Sequence, residues 1–106
     1  MWELTPSEAY DAWRAGDLTI VDIREEGEHE LTRIPGVPLI PMSVFADRME
    51  ELPDGPLAIL CRSGVRSARV TQYLTSLGTY GDVANLDGGI IAWAREGLPF
   101  DGAEPN

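Results

Sequence analysis

The chain has 106 residues and a formal net charge of −10, from 18 acidic residues and eight basic ones, all of them arginine. This length predicts a single domain over residues 1–106, and a content of 43% hydrophobic and 25% charged residues is typical of a soluble globular protein and excludes wholesale disorder. The acidic balance argues against nucleic acid or an anionic membrane as the main partner, and the single cysteine excludes an internal disulfide and a multi-cysteine zinc site.

The N-terminal residues predict no export. Met1 to Thr5 lack both the basic stretch and the apolar run of a signal peptide. No stretch of the sequence approaches the ~20 apolar residues of a membrane span. One unpaired thiol without an export signal indicates a reducing compartment, so we expect the protein to be cytoplasmic.

A helix is the first element that the sequence predicts. Thr5 is suited to cap it, Pro6 suits its first position, and Glu8 completes a capping box. Gly16 marks its expected end. A short apolar strand follows over residues 19–23.

A long, charged and proline-punctuated connection then leads to Gly36. The prolines around residues 37–40 predict an edge strand or a short one. Ser43 is expected to cap a helix that runs to about Leu52, and the sequence Pro-Asp-Gly-Pro at residues 53–56 predicts a turn.

The second half of the chain alternates strands and helices. Residues 57–60 are a continuous apolar run, as expected for a strand covered on both faces. After the tract Cys61-Arg62-Ser63-Gly64, a helical pattern ends at Gly78. Residues 83–86 predict another strand, and Gly88-Gly89 introduces a last short helix. The expected apolar stripe of the longer helix comprises Val70, Tyr73, Leu74 and Leu77.

This alternation predicts an α/β domain with a small, mostly parallel central sheet that is flanked by helices on both faces. Residues 101–106 are expected to form a loose C-terminal tail. In such sheets, ligands bind where strands end and helices begin. The tract that best fits this description contains the only cysteine of the chain.

Cys61 has the sequence surroundings of a reactive thiolate. It follows a predicted strand and precedes a helix, and Gly64 allows a sharp turn in which main-chain N–H groups form an anion nest. The positive end of the helix and the guanidinium groups of Arg62 and Arg66 also favour thiolate over thiol. Residues 56–81 carry three arginines and no acid, which makes a positive site for a small anion on an acidic body. The alternative is a buried, inert cysteine beside arginines that solvate a helix face.

Four motifs resemble, in order, those of the rhodanese family of sulfurtransferases. The resemblance runs from about Leu4 to Phe100 and implies the rhodanese-like fold. The tract Cys61-Arg62-Ser63-Gly64-Val65-Arg66-Ser67 resembles the active-site loop of the family. The other motifs are Val21-Asp22-Ile23-Arg24-Glu25, Arg33-Ile34-Pro35-Gly36-Val37 and Leu86-Asp87-Gly88-Gly89-Ile90-Ile91-Ala92-Trp93.

The resemblance implies a two-step sulfur transfer that requires no metal and no organic cofactor. Cys61 would take the outer sulfur of a small anionic donor such as thiosulfate, hold it as a persulfide and pass it to a thiol or to cyanide. Asp22 and Arg24 would form a supporting pair beneath the loop. The substrate-binding positions implied in this way are Arg62, Ser63, Gly64, Val65, Arg66 and Ser67, with the two arginines attracting the donor.

Neighbouring chemistries are weaker interpretations of the same residues. Phosphatases with a related loop have an arginine six positions after the cysteine, where this chain has Ser67. His29 is the only histidine, and a Cys–His dyad requires it to lie near the thiol.

Glu28 stands where two-domain members of the family tend to have a basic residue, and an acid there would repel thiosulfate.

Two alternatives to a free-standing enzyme also remain open. One is a protein-to-protein persulfide relay that serves sulfur-containing cofactor biosynthesis or tRNA thiolation, in which a protein delivers or removes the sulfur. The other is a non-catalytic rhodanese-like binding module. The intact Cys61 argues against the second, since such modules often lack this residue.

Overall fold

A four-stranded parallel sheet lies at the centre of the computed structural model, which describes residues 2–105. The strands are β1 (Trp2–Leu4), β2 (Thr19–Asp22), β3 (Thr32–Arg33), β4 (Leu57–Leu60), β5 (Val83–Leu86) and β6 (Asp101–Gly102). The helices are α1 (Pro6–Arg14), α2 (Glu26–Leu31), α3 (Val65–Leu77) and α4 (Gly89–Arg95), and two 3-10 segments span Met42–Val44 and Ala46–Glu51. The parallel strands lie in the order β1-β5-β4-β2, while β3 and β6 form a separate antiparallel pair. No helix among the described residues is long and apolar enough to span a membrane.

Apolar clusters cover both faces of the sheet. The four residues of β4 are at most 1% exposed, which confirms the prediction of a strand covered on both sides. Helices α1 and α4 cover one face, where the fully buried ring of Trp93 lies 5.6 Å from the Tyr10 ring and 6.3 Å from the Trp13 ring, measured between centroids. Helix α3 covers the other face, chiefly through Val70 and Leu74, together with Phe45, which lies between the two 3-10 segments.

Helix α1 begins as the sequence predicted. The Thr5 hydroxyl oxygen accepts a hydrogen bond from the Glu8 N–H at 3.2 Å, and the Glu8 carboxylate accepts one from the Thr5 N–H at 2.9 Å. Pro6 occupies the first helical position, where a missing N–H costs nothing. Both halves of the capping box are therefore formed.

The connection between β2 and β4 is more ordered than predicted. It contains α2, which has no buried residue and so gives no apolar periodicity in the sequence. The helix expected from Ser43 to Leu52 consists instead of the two 3-10 segments. Ser43 lies inside the first segment and donates its hydroxyl proton to the Glu25 carboxylate at 2.6 Å rather than capping a helix. The strand expected at residues 37–40 is reduced to one bridge between Leu39 and Asp22, at the edge of the sheet.

Helix α3 buries a different stripe from the one predicted. Val70 and Leu74 are buried as expected, but Tyr73 and Leu77 are 48% and 42% exposed. The fully buried Ser67 and Thr71 take their place on the inner face. The Thr71 hydroxyl donates to the Ser67 carbonyl at 2.7 Å, which lets this polar pair enter the core.

The C-terminal residues that the sequence predicted as a loose tail are paired over their first part. Strand β6 lies antiparallel to β3, and the Ala103 N–H donates to the Leu31 carbonyl at 2.8 Å. The Thr32 hydroxyl also donates to the Ala103 carbonyl. Strand β3 has an open edge whose main-chain groups need partners, and the tail supplies them. The prediction was therefore wrong for residues 101–103, and Asn106 lies outside the described residues.

The capping box yields a stability prediction. Thr5→Ala is expected to lower the free energy of unfolding by about 1 kcal/mol, because the Glu8 N–H loses its acceptor. Chemical denaturation followed by circular dichroism measures the change. Thr5→Ser keeps the hydroxyl and is the matched control. Unchanged stability of Thr5→Ala would contradict the contribution of the cap.

Candidate active site

The cysteine loop connects the carboxyl end of β4 to the start of α3. Cys61 follows β4 directly, and Gly64 caps α3 with φ at +96°. Only glycine adopts this left-handed conformation without strain, and a Cβ there would also lie 3.1 Å from the Gly88 nitrogen. The turn at Gly64 folds the first residues of α3 back over the cysteine.

The Cys61 sulfur accepts hydrogen bonds from main-chain N–H groups of the loop. The distances to Sγ are 3.1 Å from the Gly64 nitrogen and 3.3 Å from the Ser67 nitrogen. Such donors stabilise negative charge on sulfur, as does the N-terminal end of the 13-residue helix α3. The Cys61 residue is only 1% exposed, so the sulfur lies beneath the loop and faces its amides.

Helix α4 holds the carbonyl groups of the same loop. The Ile90 N–H donates to the Cys61 carbonyl at 2.9 Å, and the Ile91 N–H donates to the Arg62 carbonyl at 3.2 Å. Gly89 permits this approach, because a Cβ there would lie 2.5 Å from the Cys61 carbonyl oxygen and would overlap that of Arg62. With the carbonyl oxygens bound to α4, the loop is left to present N–H groups to the sulfur.

A buried polar network that the sequence reasoning missed lies beneath the loop. The Ser67 hydroxyl is 3.2 Å from Cys61 Sγ and donates to the Asn85 side-chain oxygen at 2.5 Å. The Asn85 amide nitrogen donates to the Gly64 carbonyl at 3.2 Å and to the Glu3 carboxylate at 3.1 Å. Because a hydroxyl has one proton, Ser67 accepts from the Cys61 S–H when the sulfur is a thiol. The available signal was Asn85 itself, a polar residue in an otherwise apolar strand.

Asp22 and Arg24 form a buried ion pair. Asp22 is 1% exposed and Arg24 is 2% exposed, and their shortest nitrogen–oxygen distance is 2.8 Å. Arg24 also donates to the Thr32 carbonyl at 2.6 Å. Because Asp22 lies beside Leu60 in the sheet, the pair joins the strand ends next to the loop to the start of β3.

Arg66 is paired with Glu28 of α2. Its two terminal nitrogens lie 2.7 and 2.8 Å from the two carboxylate oxygens, which is a bidentate geometry. This hydrogen-bonded contact lowers the pKa of Glu28 and raises that of Arg66. We expected Arg66 to be available to an anionic donor, but its guanidinium group is already engaged by a carboxylate.

The other charged candidates lie around the loop without reaching the sulfur. None of the hydrogen bonds to Cys61 Sγ within residues 2–105 comes from His29, so the structure offers no support for a Cys–His dyad. Arg62 and Ser63 are exposed, and Arg62 lines a cavity of about 290 Å³ together with α2, the start of α4 and residues 103–105. Within the same described range, no cluster of three or more His, Cys, Asp or Glu side chains is arranged to hold a metal ion.

The comparisons with known proteins agree with this fold. The model of the family described as "Rhodanese-like domain" matches residues 5–96, and the chain belongs to this family. The predicted rhodanese-like α/β fold is therefore confirmed.

Relatives and solved structures match between 79% and 95% of the chain. A protein named "Sulfurtransferase" from Allochromatium vinosum is 48% identical over 85 residues, which cover 79% of this chain and 78% of that protein. The "Probable adenylyltransferase/sulfurtransferase MoeZ" of Mycobacterium tuberculosis is 35% identical over 100 residues, which cover 91% of this chain and only 25% of that protein. The crystal structure of a rhodanese-related protein from Thermoplasma volcanium is 27% identical, with a TM-score of 0.85 over 95% of this chain and 98% of the other.

The contact between α4 and the loop predicts a sensitive glycine. Gly89→Ala is expected to lower the free energy of unfolding by about 2–4 kcal/mol, since it combines a positive φ with overlap against the loop carbonyls. Alkylation of Cys61 by iodoacetamide should change as well, because the loop must shift. Gly97→Ala is the matched control, with φ at +77° and open space around the added methyl. Equal effects of the two substitutions would contradict a specific role for Gly89.

The polar network predicts a second effect. Ser67→Ala is expected to cost about 1–3 kcal/mol of stability, because the buried Asn85 oxygen loses its donor. Denaturation measures this cost, with Ser76→Ala as the control. Ser76 lies in the same helix and is exposed, and among residues 2–105 its hydroxyl bonds only to the Tyr73 carbonyl. A stability of Ser67→Ala equal to that of the control would contradict the network.

Proposed function

We propose that this chain is a sulfurtransferase that carries a sulfane sulfur as a persulfide on Cys61. The observation that supports this most directly is the pair of N–H groups, from Gly64 and Ser67, directed at Cys61 Sγ. Membership of the rhodanese-like family and the name of the Allochromatium vinosum relative support the same reaction class. Cys61 is the catalytic residue in this proposal.

The reaction balances without any external oxidant or reductant. The Cys61 thiolate attacks the outer sulfur of thiosulfate, a sulfur–sulfur bond forms to Sγ, and sulfite leaves with the electron pair of the bond that breaks. A thiolate or cyanide then attacks the terminal sulfur of the persulfide, and the Cys61 thiolate is regenerated as the leaving group. The chain needs only to stabilise a negative sulfur before and after the first step.

The start of α3 has further N–H groups for the transferred sulfur. The first four N–H groups of an α-helix have no partner inside the helix. Ser67 uses its own for Sγ, and those of Val65 and Arg66 lie between it and Gly64. We assign these two amides, with the exposed Arg62 and Ser63 beside them, to the terminal sulfur and to the approaching donor. The proposed location is the cytoplasm, where the one free thiol stays reduced.

A persulfide relay between proteins is the second candidate. It is favoured by the match to the adenylyltransferase/sulfurtransferase relative, in which the matched part makes up a quarter of the protein. Two apolar side chains could contact a partner: Leu31, which lines the cavity beside the loop and is 68% exposed, and Val65 at the start of α3, which is 60% exposed. In this case a partner protein delivers or removes the sulfur, as in sulfur-containing cofactor biosynthesis or tRNA thiolation.

Intact-mass measurement after incubation with thiosulfate tests the proposal. The mass should rise by one sulfur atom and return to its starting value with cyanide or dithiothreitol. Cys61→Ser replaces sulfur by oxygen at one atom and should show no rise. Loading from thiosulfate with rapid release supports the enzyme, and loading only from a persulfide-bearing protein supports the relay. Absence of loading from every donor would contradict both and leave a binding module.

A further inference from the structure

Glu28 occupies the part of Arg66 that an oxyanion would bind. Both outer guanidinium nitrogens donate to Glu28, one to each carboxylate oxygen, at 2.7 and 2.8 Å. The two residues are 38 positions apart, and the fold brings them together beside the loop. About a third of each side chain is exposed. A sulfonate or phosphate would present the same pair of oxygens to the same pair of nitrogens.

The Glu28 carboxylate is also held from its own helix. The Glu25 N–H donates to Glu28 Oε1 at 3.1 Å, which fixes the carboxylate at the first turn of α2. Hydrogen bonding from Arg66 lowers the pKa of Glu28, so the group stays ionised at neutral pH. An incoming oxyanion therefore meets an ionised carboxylate in a fixed position on Arg66.

We propose that Glu28 is a specificity-determining residue that selects against sulfur donors carrying an oxyanion group next to the transferred sulfur. This proposal rests on the proposed persulfide function of Cys61. The favoured donor class is a persulfide carried by a thiol or by a protein, which brings one negative sulfur and no sulfonate. Its step balances as well: the Cys61 thiolate takes the outer sulfur, and the donor thiolate leaves.

Charge around the loop explains the selection. Arg62, Arg66 and Glu28 together carry one net positive charge, and the buried Arg24 is neutralised by Asp22. Thiosulfate, a dianion, must either displace the Glu28 carboxylate from Arg66 or bind beside it. Displacement leaves two negative groups competing for one guanidinium group, and binding beside it forfeits the bidentate contact. A persulfide donor has no sulfonate, so it needs neither to displace Glu28 nor to form a bidentate contact with Arg66.

Steady-state kinetics with thiosulfate test the proposal. Glu28→Gln keeps the side-chain shape and is expected to lower the KM for thiosulfate by about three- to fivefold with little change in kcat, as the release of one partly exposed charge pair allows. Glu30→Gln is the matched control, because it lies in the same helix and changes the net charge equally. Its carboxylate makes no ion pair among residues 2–105. An equal gain in both variants, or none in Glu28→Gln, would overturn the proposal.

Alkylation of Cys61 gives a readout that does not require turnover. Iodoacetate carries one negative charge and iodoacetamide carries none. The rate of alkylation by iodoacetate divided by that of iodoacetamide therefore reports how well the site accepts an anion. The ratio should rise in Glu28→Gln and stay within about twofold of the original in Glu30→Gln. The rise should vanish when Glu28→Gln is made in an Arg66→Met background. A rise that persists there would show that Glu28 does not act through Arg66 and would overturn the proposal.

The two proposals fail in different ways. If no variant takes sulfur from any donor while the alkylation ratio behaves as expected, persulfide chemistry is wrong and the anion selection by Glu28 stands. If all variants load from thiosulfate equally and the alkylation ratio is unchanged, the sulfurtransferase stands and the role of Glu28 is wrong.

Glu28→Asp is the second variant, in case Glu28→Gln does not fold. It retains the charge on a shorter stem and should give a smaller gain of the same sign.

Discussion

Two main-chain N–H groups aimed at one sulfur atom are the interaction on which the site depends. They belong to Gly64 and Ser67, and the left-handed turn at Gly64 brings both within hydrogen-bond distance of Cys61 Sγ. Dipoles of this kind stabilise charge well when they are already in place, because no reorganisation is then needed as the charge develops. The surrounding structure is best understood by how it keeps these dipoles fixed.

Two elements of the fold hold the loop from opposite sides of its backbone. Helix α4 binds the carbonyl oxygens of Cys61 and Arg62 through its first N–H groups, and Gly89 makes that approach possible. Strand β5 contributes Asn85, which binds the Gly64 carbonyl and the Ser67 hydroxyl. Both elements belong to the sheet and its covering layer, so the rigidity of the loop derives from the core.

Local signals were sufficient for the elements with strong sequence patterns. The capping box of α1, the apolar run of β4 and the glycine turn after Cys61 each depend on neighbours in the chain, and each is present in the structure. Helix α2 escaped prediction because it buries no residue, and the β3–β6 pair because its two strands are short and about 70 residues apart. Nothing in the local sequence relates Glu28 to Arg66 or Ser67 to Asn85, since these contacts arise only when the sheet and helices assemble. The sequence therefore predicted the cysteine loop, but it did not predict that Arg66 is paired with Glu28.

The depth of the Cys61 sulfur has a consequence for oxidative dimerisation. An intermolecular disulfide requires the Cα atoms of two cysteines to come within about 4.4–6.8 Å of each other. At 1% exposure, and with its own loop folded over it, the Cys61 of one copy cannot approach that of another to this distance. A second copy of the folded chain therefore does not reach the sulfur. Covalent self-association through this thiol is thereby blocked by shape alone, without any need for a protecting group.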